Sequence, residues 1–285
     1  MEFSDGPNMT NAHDTTVIER PNLEAGSATA TSKAPSGAPD GSLRSKDNAP
    51  PAITGRSLEI RSDTILRVLA YCLIAVVLLH LLAMVAVFGF GHDRLMGLIP
   101  LFNMEDEKNV PTYFSSFQLL VAAALLGLCA AQHKWVGGKY FRHWAGLALI
   151  FVFLSLDESA LIHEKTRTIT HNFLGTTGLF YYAWVIPFGA LTLVVAATYA
   201  RFLLALPART AVIFVLSGAV FVFGAIGLEM FEGMINEAGG YKSFNYMVLV
   251  TIEETLEMVG IFAFIYGILD YMLGDGRRVG ISLGK

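Results

Sequence analysis

Residues 156–165, LDESALIHEK, bring Asp157, Glu158, His163 and Glu164 into eight positions at the end of an apolar run. An ionisable side chain in a membrane segment is costly and by default marks function. Two later stretches repeat the pattern: GLEMFEG carries Glu229 and Glu232, and TIEETLEM carries Glu253, Glu254 and Glu257. Carboxylates at this density repel one another unless they hold a cation, share protons or pair with Arg and Lys. Nearby basic residues are few, namely Lys165, Arg167 and Lys242. A divalent metal is therefore the first expectation, with all nine of these residues as its candidate ligands. Oxygen-rich ligation with an imidazole suits Zn, Mn or Fe, and an all-carboxylate shell suits Ca. Such an ion activates water for attack on an ester or phosphoester, with a spare carboxylate as base.

The di-iron bundle pattern needs Glu-x-x-His on two helices. His163 has Ala160 three residues before it, so that pattern is not met. At about 100° per residue on a continuous helix, Asp157 and Glu164 fall in register. Glu158 and His163 then lie to opposite sides, and only one of them is expected to join Asp157 at the site. Behind the ligands the sequence offers His80, Glu107 and Ser115 as supporting residues. Glu105, Asp106 and Glu107 otherwise read as a solvated loop, and Ser115 and Ser116 as helix-start residues. Gly224 and Gly227 are expected to allow close helix packing.

The elements that position these residues are membrane helices. The 285-residue chain is 54% hydrophobic and 15% charged, against about 25% charged in soluble domains. Net charge of −4 and scattered basic residues give no surface for nucleic acid. Apolar runs near 66–90, 113–133, 143–164, 180–203, 209–232 and 246–271 are each long enough to cross about 30 Å of hydrocarbon. None alternates with period two, so a β-barrel is excluded. The expected fold is an all-α polytopic bundle of about six transmembrane helices over 61–275. A disordered cytoplasmic tail precedes it over 1–60, with an amphipathic lead-in at 57–64, and a short cytoplasmic tail follows over 276–285. Pro187 is the one proline expected to interrupt a helix.

Lys and Arg cluster on the side of the termini, as in Arg56, Arg61, Arg67, Lys134, Lys139, Arg142, Arg201, Arg209, Arg277 and Arg278. The positive-inside rule then makes both termini cytoplasmic and turns the three acidic clusters outward, into one leaflet. Phe180, Tyr181, Tyr182 and Trp184 read as an interfacial aromatic belt in a loop able to cover the site. Cys72 and Cys129 lie in apolar runs and read as packing residues.

LDESALIHE, with LEMFEG, EETLEM and DEKNVPTYFSS, resembles uncharacterised bacterial multi-pass membrane proteins with an LDExxxIHE-type helix end. The resemblance covers about 66–271 and implies a bacterial inner-membrane protein. A proton- or cation-coupled transporter, in which the carboxylates bind and release the driving ion, is the alternative to a metal-dependent hydrolase, and some members of that group carry the label multidrug transporter. A structural protein with a helix-linking cation is the third reading.

Overall fold

The computed structural model describes residues 58–59, 62–92, 94–274 and 280–281. Apart from a two-residue antiparallel pairing of Leu58–Glu59 with Gly280–Ile281, the described structure is helical. The expected tail lies outside the described residues except for 58–59. Of the expected lead-in at 57–64, residues 58–59 join that pairing, 62–64 begin the first helix, and the rest lie outside the described residues.

α1 spans Ser62–Phe90 and buries only Leu69, Val76, His80 and Ala83. Their spacing makes one narrow stripe, so α1 touches the bundle along a single line. The short α2, Leu98–Phe102, leads through a loop to α3, Val110–Trp135. Asn109 caps α3 by accepting from the Thr112 amide, and Pro111 occupies the first turn, where no amide donor is needed.

α4, Phe141–Ala160, returns along α3. The two are joined by hydroxyls near the start of α3 and the end of α4. Ser116 and Ser155 Oγ lie 2.8 Å apart, and each donates to the other's backbone carbonyl. Ser159 donates to Ser116 Oγ at 2.8 Å. Small residues with interhelical hydrogen bonds are how helices associate in lipid. Ser116 is thus a helix-linking residue and not simply a helix start.

α5 covers Ile162–Leu174 and α6 covers Val185–Leu204. Pro187 falls in the first turn of α6, where its missing N–H has no intrahelical partner to lose; it begins the helix and does not break it. α7, Ala208–Val222, runs through a π-helical turn, Phe223–Leu228, into α8, Glu229–Glu237. α9, Phe244–Gly274, has 31 residues, roughly 46 Å of helix.

α9 is the central element. Its buried face packs with α3, α4, α6 and α7 around Trp144, Phe202, Phe214 and Phe264. A Cβ on Gly260 would meet backbone atoms of Phe221 at 2.9 Å, and one on Gly267 would meet Ile213 at 2.7 Å. α7 and α9 therefore approach at backbone distance.

Among the described residues, five helical stretches are long and apolar enough to cross a membrane: Ser62–Phe90, Val110–Trp135, Phe141–Ala160, Val185–Leu204 and Ala208–Glu237. The sixth expected span coincides with α9, which is outside those five and carries Glu253, Glu254, Glu257 and Asp270. The protein is an all-α polytopic membrane bundle.

Candidate functional site

A cavity of about 670 Å³ lies among α4, α5, the π turn, α8, α9 and the loop before α3. Asp157, Glu158, His163, Glu164, Glu229, Glu232, Glu253, Glu254 and Glu257 all line it. So do Glu105, Asp106 and Glu107.

The wall formed by α4 and α5 depends on one backbone residue. Leu161 adopts a left-handed conformation (φ 59°, ψ 49°), which is strained for a residue with a branched side chain. It ends α4 at Ala160 and turns the chain into α5, so the helix expected over 143–164 is broken. Asp157 serves both sides of the break. Its carbonyl accepts from the Leu161 amide at 2.7 Å. Its carboxylate accepts from the His163 amide at 2.8 Å and from His163 Nδ1 at 2.9 Å. The continuous-helix angles do not apply across Leu161, and Glu158 and His163 both face the cavity.

Burial disfavours a charge on His163. The Asp157 hydrogen bond and the fields of Glu229, Asp157 and Glu164 outweigh it and raise the imidazole to about 9. At neutral pH this ring is a cation. It packs against Trp184, with centroids 4.7 Å apart.

Arg167 lies one turn beyond Glu164 and reaches its two carboxylate oxygens at 3.3 and 3.4 Å. The guanidinium sits 3.4 Å above the Tyr182 ring, a cation–π geometry. Tyr182 and Trp184 are 2% and 4% exposed, so they are cavity wall and not an interfacial belt, whereas Phe180 stays exposed. Tyr182 Oη accepts from Asn236 Nδ2 at 2.7 Å, and Trp184 Nε1 donates to Glu229 Oε1 at 2.8 Å. The segment expected as a covering loop forms part of the chamber itself.

The opposite wall is α8 on α9. The π turn widens the helix by one residue just before Glu229, a distortion common at functional sites. A Cβ on Gly224 would stand 3.0 Å from the Glu253 carbonyl and 3.2 Å from Glu257 Cγ. That glycine lets the Glu229/Glu232 turn approach the Glu253/Glu257 turn. Gly227 differs from expectation, because a Cβ there would meet Phe223 of its own turn and no neighbouring helix. Glu232 faces Glu253, while Glu232 Oε1 is buried without a hydrogen-bond partner.

Residues 67–271 match a family model described as a domain of unknown function, DUF8692. The chain belongs to that family. No curated protein and no solved structure matches it.

The loop before α3 is not simply solvated. Asp106 pairs with Lys242 at 3.0 Å and accepts from Asn103 at 2.8 Å. Glu105 accepts from Tyr246 Oη at 3.4 Å. Burial raises its carboxyl, against the opposing effects of Tyr241, Lys242 and Tyr246. Burial, followed by the charge of Glu164, raises that of Glu107.

Two supporting candidates lie off the cavity lining. His80 Nδ1 accepts from the Met104 amide at 3.0 Å, and its Nε2 lies 2.8 Å from Thr251 Oγ1. It ties α1 to α9 and anchors the residue preceding Glu105. Ser115 is buried on α3 within reach of Glu158. Among the described residues, no three His, Cys, Asp or Glu side chains converge closely enough to hold a metal ion. The nine expected ligands surround one space without closing on one point in it.

Proposed function

We propose that the cavity is a cation site, that its ion is a divalent metal, and that the protein is a membrane-embedded metal-binding protein. The observation that carries this reading is the charge inventory. Eleven carboxyl side chains line the cavity, and His163 and Arg167 are the basic side chains among its lining residues. Pairing accounts for Asp157 with His163, Glu164 with Arg167 and Asp106 with Lys242. Glu105, Glu107, Glu158, Glu229, Glu232, Glu253, Glu254 and Glu257 have no such cationic partner, and their mutual repulsion calls for a bound cation or shared protons.

The ligand set follows from the same geometry. Glu229/Glu232 and Glu253/Glu257 are each one helical turn apart on packed helices, and Glu232 Oε1 is buried with no donor. Rotation about Glu side-chain bonds would be needed to bring such carboxylates onto one ion. With the His163 ring held as a cation beside Asp157, an oxygen-only shell is favoured, which suits Ca or Mn better than Zn or Fe. Bound there, the metal would polarise water, and Glu158 or Glu254 is placed to act as base in hydrolysis of an ester or phosphoester.

Cation-coupled transport requires a path through the other half of the bundle. The carboxylate toward that end of α9, Asp270, is instead engaged by Arg209 at 3.1 Å. The basic-residue bias supports cytoplasmic termini and an outward cavity, and the resemblance to bacterial multi-pass membrane proteins supports an inner-membrane placement.

Elemental analysis of purified protein tests the reading. Wild type is expected to carry a stoichiometric divalent metal that Glu257→Gln loses. Wild type free of metal after incubation with Ca, Mn, Fe and Zn would overturn it.

A further inference from the structure

The acid cavity does not end at its carboxylates. A second, apolar crevice of about 480 Å³ continues from it between α4, α6, α7 and α9. The two share Leu119, Leu154, Phe188, Thr192, Phe221 and Val222 as lining, so the apolar crevice adjoins the carboxylate cavity. The crevice opens sideways. α4 and α6 meet where Tyr199 and Phe202 pack on His143 and Trp144, and farther along, Leu149, Phe153 and Leu191 at the mouth are 70%, 39% and 51% exposed. These residues lie in two helices apolar enough to span the membrane, so the mouth faces lipid chains. One position along the crevice is left open by its residue type. Gly218 lines it, and a Cβ there would meet nothing within 4 Å.

We propose that the protein binds a membrane amphiphile lengthwise, its single hydrocarbon chain in the α4–α6–α7 crevice and its cationic amine head among the carboxylates. Charge complementarity selects the head, because the cavity holds eight carboxyl groups with no cationic partner beside one unpartnered buried oxygen, Glu232 Oε1. Apolar lining selects the chain, since transfer of methylenes between lipid and protein needs matching contacts and no exposed polar group. The bilayer supplies the ligand through the side mouth, so it need not cross water. This inference rests on the cavity accepting cations, as proposed above, and not on a metal being the cation.

The test uses the full protein in phosphatidylcholine nanodiscs, with empty discs as the partition control and hexadecylamine, hexadecanol and palmitate as probes. Wild-type discs are expected to retain hexadecylamine at least tenfold more tightly than hexadecanol or palmitate. Gly218→Leu replaces a weak helix former by a strong one and fills the crevice. It is expected to weaken hexadecylamine binding at least tenfold, equivalent to about two buried methylenes. Metal content of this variant stays at the wild-type level. Unchanged hexadecylamine binding in Gly218→Leu, equal binding of hexadecanol, or retention no greater than in empty discs would each overturn the proposal. Metal-free protein that still shows the amine pattern would overturn the metal reading and leave this one standing.

Discussion

Replacing Asp157 with Asn probes the joint between α4 and α5 without removing its cap. Asn keeps an oxygen for the His163 amide and loses the charge that holds the imidazolium. The gap between an ordinary imidazole at 6.5 and about 9 in this site corresponds to about 3 kcal/mol of preference for the charged ring. Glu229 and Glu164 share in that preference, and the His163 and Asp157 side chains are 21% and 12% exposed. The portion due to Asp157 is therefore about 1–2 kcal/mol, or roughly 2–6 °C in apparent Tm. Because the folded-state value is raised, this stabilisation is complete below about pH 6.5 and is lost as pH rises through about 9. Tryptophan fluorescence melts of detergent-solubilised protein at pH 6 and pH 9.5 measure it. The variant should melt below wild type at pH 6, and the two curves should converge at pH 9.5. Equal melting at pH 6, or a difference that grows with pH, would refute the ion-pair account of this joint.

Other positions separate packing from polar contributions. Gly260→Ala places a methyl 2.9 Å from the Phe221 backbone, so thermal denaturation should show a loss of about 1–3 kcal/mol. Gly218→Ala meets open space and should be neutral or stabilising by up to ~1 kcal/mol in the same assay. Ser116→Ala removes the α3–α4 hydroxyl links and should cost on the order of 1–2 kcal/mol in thermal melts. Trp184→Phe leaves Glu229 Oε1 without its donor and should lower stability by about 1–3 kcal/mol, with recovery in the Trp184→Phe/Glu229→Gln pair.

The helices and their approximate limits were legible because apolar runs and charge breaks are strong, local signals. The gathering of Asp157, Glu229 and Glu257 around one space followed from topology alone, since alternate helices end on the same side. What the sequence hid was short-range backbone geometry. Nothing about Leu161 announces a left-handed residue, yet that residue ends α4, frees His163 from the helical wheel and turns Asp157 into a cap. The π turn before Glu229 is equally silent, being set by how α7 meets α9 at Gly224. Glu105 and Glu107 read as solvated because loop residues carry no periodicity to place them. Arg167 was findable: it stands three residues after Glu164, the spacing of a helical ion pair. Tyr182 and Trp184 misled, because aromatic residues at a helix entrance fit a membrane interface as well as a cavity wall.

The most direct test of the central claim is to locate the cation. Crystals of the protein grown with manganese, measured at the manganese absorption edge, should give an anomalous peak inside the cavity, roughly 2.0–2.6 Å from carboxylate oxygens of Glu229, Glu232, Glu253 or Glu257. Well-ordered carboxylates with no peak among them, or peaks confined to the protein surface, would contradict the account.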